Sequence, residues 1–222
     1  MAGSVICIAN WKGGCGKSTL CMVLAVNLAG QGYKVSVIDS DPNQAFATWF
    51  RMAESPPLAC STCIDHNEIV AKAYEEAEKY DVVLVDTAGF ANQAAVFGIG
   101  AADLVLIPVM PDRNSVIEAR KTARQVESVG QIARRAIPYR VILSRWTPRG
   151  LSERATIDDL AEAKLPSLRQ VVPNLTAFQK ATFSGELPNR GYVGFLASQM
   201  IEELRELGAI PPKPPRHQEK AA

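Results

Sequence analysis

The 222-residue sequence predicts a doubly wound α/β domain with a mostly parallel sheet. Three observations predict it. Short apolar runs rich in β-branched residues alternate with stretches of helical length. A glycine-rich segment lies between the first such run and the first helix. The length suits one domain of this class, which commonly holds about 100–200 residues.

Taken in order, the buried strands are Val5-Ile-Cys-Ile-Ala9, Val35-Ser-Val-Ile38, Val82-Val-Leu-Val85, Leu104-Val-Leu-Ile107 and Val141-Ile-Leu143. Such short, continuous apolar runs suit strands covered on both faces. Helices are predicted over Lys17–Gln31, Asn67–Lys79 and Ser115–Val129, the first punctuated near its end by Gly30 and Gly32. Beyond Leu151 the strand signal fades, and helices are expected near Ser152–Ala163, Leu175–Ser184 and Gly194–Leu207. Ile210-Pro-Pro-Lys-Pro-Pro-Arg216 cannot continue a helix. The expected organisation is a single domain over 1–209 and an extended, proline-rich tail over 210–222.

Composition narrows the function classes. An apolar share of 47% with 21% charged residues is that of an ordinary soluble globule. No apolar run reaches the roughly 18–20 residues that span a bilayer. The N-terminus lacks a basic region, and Lys12-Gly13-Gly14 interrupts the apolar stretch too early for a signal peptide, so a cytoplasmic protein is expected. Five cysteines, at 7, 15, 21, 60 and 63, do not form a secreted disulfide framework. Net charge is +1, but Arg113–Arg154 holds ten Lys/Arg against three acids, while Glu54–Asp86 holds eight acids against two lysines. That asymmetry points to an anionic partner on one face.

The strongest motif is Lys12-Gly13-Gly14-Cys15-Gly16-Lys17-Ser18-Thr19, set between a buried strand and an amphipathic helix. Glycines let backbone amides curl round a phosphate chain, and the helix start points partial positive charge at it. Lys17 is placed to reach the β- and γ-phosphates, and the Ser18 hydroxyl to coordinate Mg²⁺. The first glycine of the usual phosphate-loop pattern is replaced by Trp11, and an extra lysine, Lys12, follows it. Two further runs end in acids at the sheet edge where ligands bind in this architecture: Asp39-Ser40-Asp41-Pro42 and Asp86-Thr87-Ala88-Gly89. An Asp closing an apolar strand is the arrangement that holds Mg²⁺ directly or through water, and Gly89 permits the next loop to move with the γ-phosphate. Asp41 can also be read as the N-cap of a following helix.

With Lys12 in that loop, the sequence resembles the ParA/MinD family of deviant Walker ATPases over roughly residues 4–207. It looks most like short plasmid-type ParA proteins without an N-terminal DNA-reading extension. The resemblance implies a P-loop NTPase fold and a face-to-face homodimer sandwiching ATP, with Lys12 reaching the nucleotide of the other subunit. It also implies that Asp39 supports metal and loop, that Asp41 orients the attacking water, and that Ser144-Arg145 lies where the family contacts adenine. The family often has proline near Ala88. Asp103–Pro111 resembles the proline-containing strand and turn of plasmid-type partition ATPases.

The expectation that follows is a slow, partner-stimulated ATPase cycling between a DNA-binding ATP dimer and an ADP or apo monomer to position a cargo. A ParB-like or adaptor protein would stimulate hydrolysis, and the ATP form would be nucleoid-associated. Candidate contacts to non-specific DNA are Arg120, Lys121, Arg124, Arg145, Arg149 and Arg154, with Arg113, Arg134 and Arg135 nearby. The bland reading of each is a solvated helix face. Two alternatives are weaker. MinD-like membrane cycling needs a terminal basic amphipathic helix, whereas the last helix carries Glu202, Glu203 and Glu206 against Arg205 and the tail is polar. A metabolic or iron–sulfur relative would use Cys60, Cys63 and His66, which leave a metal tetrahedron incomplete. A structural role is expected for that cysteine pair.

Overall fold

In the computed structural model, described for residues 2–54, 56–89, 93–147, 149–174 and 183–214, each of the five apolar runs becomes a strand. They are β1 Ser4–Ile8, β2 Val35–Asp39, β4 Val82–Asp86, β5 Leu104–Val109 and β6 Tyr139–Trp146. Two more, β3 Ala59–Thr62 and β7 Ser167–Pro173, complete a seven-stranded sheet of order β3-β2-β4-β1-β5-β6-β7. Every ladder is parallel.

The helices are α1 Lys17–Gly30, α2 Ala45–Met52, α3 Ile69–Ala77, α4 Gln93–Ala101, α5 Arg113–Ala133, α6 Leu151–Glu162 and α7 Gly191–Glu206. They cover both faces, because alternate strand residues point to opposite sides. Ile6, Ile8, Leu84 and Leu106 meet Leu24 of α1, Trp49 of α2 and Ile201 of α7. Cys7, Val85, Val105 and Ile107 meet Ile69 of α3, Ile99 of α4, Val116 and Val126 of α5 and Leu160 of α6. The sheet is therefore doubly wound, as expected.

The strands missed in the sequence are the two edges. β3 reads Ala-Cys-Ser-Thr and is only half-buried, so it lacks an apolar run. In β7, exposed Ser167 and Arg169 interrupt buried Leu168 and Val172. Beyond Leu151 the sequence shows a fading strand signal and mostly helices, and β7 is the strand it did not resolve. Its pairing is set from afar: the Glu203 carboxylate of α7 accepts from Arg169 N at 2.8 Å and Gln170 N at 3.3 Å. Occupying edge amides in this way also blunts the strand against further pairing. Helices α2 and α4 likewise fall outside the predicted set. The helix expected over 175–184 lies largely outside the described residues.

Ile210, assigned to the tail from the sequence, is 4% exposed in the core, and Tyr33 Oη donates to the Pro211 carbonyl at 2.9 Å. Packing thus continues to Pro211, and residues 215–222 lie outside the described set.

Candidate nucleotide site

β1 occupies the middle of the sheet, and the loop that leaves its C-terminal end turns sharply into α1. Gly14 at φ 70° and Gly16 at φ 95° make that turn, in the left-handed region that other residues rarely enter. Gly13, Gly14, Gly16, Lys17, Ser18 and Thr19 line a cleft of about 1000 Å³, closed opposite by Asp41, Asn43, His66, Gly89, Gln93 and Arg145. Lys17 is 6% exposed, and its ammonium donates to the Lys12 carbonyl at 3.2 Å.

The loop is braced from outside the cleft. Ser144 Oγ, at the end of β6, donates to the Cys15 carbonyl at 2.8 Å, and Cys15 Sγ donates to the Lys12 carbonyl at 3.2 Å. Ser144 is buried and does not line the cleft, whereas Arg145 does, from a left-handed backbone at φ 52°. Of the pair expected at the base, only Arg145 faces the cavity. Gly89 presses on the loop from the other side: a Cβ there would meet Gly13 Cα at 2.9 Å and Gly13 N at 3.0 Å. The sequence suggested mobility for Gly89; the structure adds that only glycine fits beside the loop.

Register brings the acids together. Asp39 and Asp86 are direct partners in the β2–β4 ladder, and Asp86 is level with Ile8 of β1. Both are fully buried. Asp39 accepts from Asp41 N at 3.1 Å and from Ala47 N at 2.9 Å, so it fixes the 40–44 loop and caps α2. Burial pushes its carboxyl above the usual range, and those amides pull it back. The capping duty considered for Asp41 therefore belongs to Asp39. Asp41 accepts from Asn43 N at 2.8 Å and faces the cleft.

Asp86 differs. Neither of its oxygens has a hydrogen bond of ordinary geometry. Burial lifts its pKa to about 7; the nearby Ser18 hydroxyl and the Lys17 ammonium act in the opposite direction, while the charges of Asp39 and Asp41 raise it further. A buried, unpartnered carboxylate beside Ser18 is what a divalent cation would satisfy. Among the described residues no three His, Cys, Asp or Glu side chains converge as a protein-only metal cage. Mg²⁺ in phosphate sites commonly takes one or two protein groups plus phosphate oxygens, so Ser18 and Asp86 fit it.

Further braces went unread in the sequence. Ser40 Oγ donates to the Asp86 carbonyl and Thr87 Oγ1 to the Ile8 carbonyl, both at 2.8 Å, tying the strand ends together. Asn10 links Pro108 to Lys12 through its side chain. Ser40 and Thr87 stand in the D-S-D and D-T-A-G stretches, a signal that could have been used. His66, weighed in the sequence only as a metal ligand beside Cys60 and Cys63, instead lines the nucleotide cleft. Cys60 and Cys63 pack into opposite faces of the sheet, so their thiols do not converge on one ion.

Lys12 does not line the cleft. Its ammonium is held by Asp112 and Ser115 at the start of α5. Burial raises the Asp112 pKa, yet Lys12 and Ser115 together bring it below the usual range. The basic candidates Arg120, Lys121, Arg124, Arg149 and Arg154 are exposed on and beyond α5, and Arg145 sits at the cleft. Arg135 instead donates to the Gly100 and Ala102 carbonyls at the end of α4. No helix among the described residues is long and apolar enough to cross a membrane.

A family model described as VirC1 protein matches residues 3–190. A virC1 protein of Rhizobium rhizogenes is 31% identical over 183 residues, 78% of each chain. A ParA protein of Rhizobium radiobacter is 30% identical over 145 residues; the match spans 65% of each chain, just under two thirds of that relative. Among solved structures, an ATP complex of a Cyanothece McdA variant superposes with a TM-score of 0.75 at 19% identity, covering 94% of this chain and 97% of that one. At that identity the likeness establishes the fold.

Proposed function

The chain belongs to the VirC1 protein family, of ParA/MinD type, and from that premise we propose that it is a Mg²⁺-dependent ATPase that positions a cargo. The observation that carries the chemistry is the Asp86 carboxylate, buried without a partner beside Ser18, at the foot of a loop curled by Gly14 and Gly16.

ATP is the substrate. The loop amides and Lys17 bind its phosphates, offering fixed donors where negative charge gathers during phosphoryl transfer. Ser18 and Asp86 would hold Mg²⁺, which would supply positive charge to offset that of the phosphates. Asp41, held at the cleft by the Asp39-braced loop, orients the attacking water. Lys12 supplies a second cation to the nucleotide of a partner copy, so hydrolysis waits on dimer closure and the basal rate is slow.

The exposed arginines and Lys121 of α5, together with Arg149 and Arg154, suit non-specific DNA through phosphate neutralisation. A ParB-like or adaptor partner accelerates turnover and returns the protein to the monomer. The setting is the cytoplasm, with the ATP form on the nucleoid.

The test is direct. ATP with Mg²⁺ is expected to give a dimer that shifts random-sequence DNA at low salt, whereas ADP gives neither dimer nor shift. Lys17→Ala is expected to lose nucleotide binding by calorimetry. Equal DNA binding with both nucleotides would falsify the partition cycle, and full binding by Lys17→Ala would remove the phosphate assignment.

A further inference from the structure

Trp11 and Lys12, the two residues by which the loop departs from the usual phosphate-loop pattern, both lie against α5 of their own chain. The Lys12 ammonium donates to Asp112 Oδ1 at 2.8 Å, Asp112 Oδ2 at 2.7 Å and Ser115 Oγ at 2.9 Å, and its side chain is 20% exposed. Ser115 Oγ donates in turn to Asp112 Oδ2 at 2.9 Å. Further along the helix, the Trp11 amide donates to Thr122 Oγ1 at 3.2 Å and its indole Nε1 to Gln125 Oε1 at 2.7 Å. The Lys121 ammonium stands 5.9 Å from the centre of the Trp11 ring. Residues 115, 122 and 125 share one helix face, which Asp112 opens at its N-terminal end.

We propose that this face of α5 is a seat for Trp11 and Lys12 that must be vacated before two copies close over ATP, with Asp112 and Ser115 setting the threshold for dimerisation. The proposal rests on the reading that Lys12 acts on the partner copy's nucleotide. One ammonium with three donors, all engaged by Asp112 and Ser115, cannot also reach a phosphate across an interface. Leaving the seat breaks a charge-assisted pair, and only a stronger anion compensates. A γ-phosphate adds that anion and ADP lacks it, so the seat favours the monomer with ADP. In a two-fold dimer the seat is left twice, so its effect enters the dimer constant squared. Because Trp11 is carried on the same segment, its departure also takes the indole away from Lys121, whose ammonium keeps its 2.8 Å pair with Glu118 on the same helix.

Asp112→Asn separates seat from fold. Asp112 caps α5 by accepting from Ser115 N at 2.8 Å, and asparagine caps as well as aspartate while lacking the charge that holds Lys12. Sedimentation equilibrium with a non-hydrolysable ATP analogue and Mg²⁺ is expected to show Asp112→Asn dimerising about tenfold more tightly than wild type, about threefold per seat for a partly buried pair whose side chains are 20% and 41% exposed. With ADP both stay monomeric. Ser115→Ala should move the same way by less. Trp49 and Trp146 remain in Trp11→Phe, so the part of an emission shift on adding the analogue that this variant loses reports Trp11, and that part is expected to be present. A dimer constant for Asp112→Asn equal to or weaker than wild type, with its melting temperature retained and Ser115→Ala likewise unmoved, overturns the seat. Lys12→Ala distinguishes the underlying reading: if it dimerises and hydrolyses as wild type, the trans role itself fails, and the seat with it.

Discussion

Asp39 and Asp86 stand opposite each other in the β2–β4 ladder, both fully buried, yet only Asp39 has its oxygens engaged by backbone amides. The same register places a structural carboxylate and an unsatisfied one side by side. The first holds the loop that carries Asp41. The second is buried without a partner at a cost in stability, which suits the cation role proposed for it.

That cost has a pH signature. Asp86 sits at about 7 when folded, against roughly 3.9 in an unfolded chain. The folded state keeps a proton that the unfolded state releases, so stability falls as pH rises between about 4 and about 7. Asp86→Asn lacks this ionisation and is expected to melt above wild type near pH 8, in EDTA without nucleotide, the gap closing below about pH 4. Mg²⁺-dependent ATP affinity of the wild type should climb through the same window, because the cation needs the charged carboxylate. An Asn variant melting below wild type at high pH counts against an unpartnered charge.

Asp41→Ala is expected to keep ATP bound and unhydrolysed, whereas Asp39→Ala should lose stability by about 1–3 kcal/mol, since buried amides are left without their acceptor. Single-turnover hydrolysis and thermal melts separate the two. Normal turnover in Asp41→Ala takes that residue out of the mechanism.

Ser144→Ala tests whether this position reads the base or braces the loop. A brace predicts that ATP and GTP affinities fall together, about fivefold for removal of one hydrogen bond. Weakening confined to ATP would instead return Ser144 to base recognition.

Gly89→Ala should lower nucleotide affinity more than about tenfold, as its Cβ meets Gly13 Cα at 2.9 Å and one side must shift. Titration with a fluorescent ATP analogue reads this. Wild-type affinity would mean the two loops part without cost.

For the proposed DNA surface, replacing Arg120, Arg124 and Arg154 with alanine is expected to weaken DNA binding by the ATP-bound protein. The log–log salt slope should shrink by about 0.9 for each phosphate that is no longer neutralised. An unchanged slope would move the DNA site elsewhere.

Five central strands, the phosphate loop, the strand-end acids Asp39 and Asp86 and the nearby Asp41 are legible in the chain before it folds, because each is written in adjacent residues. A buried strand needs an uninterrupted apolar run, and a phosphate loop needs glycines at fixed spacing. The edge strands β3 and β7 emerge only on folding: their half-exposed faces dilute the apolar signal, and Glu203 reaches β7 from a distant helix. Folding likewise settles that Asp39 rather than Asp41 caps α2, that Ser144 braces the loop, and that Lys12 rests on Asp112, 100 residues away. Those roles depend on which groups the assembled sheet brings within about 3 Å, where a hydrogen bond forms, and local sequence does not encode that proximity.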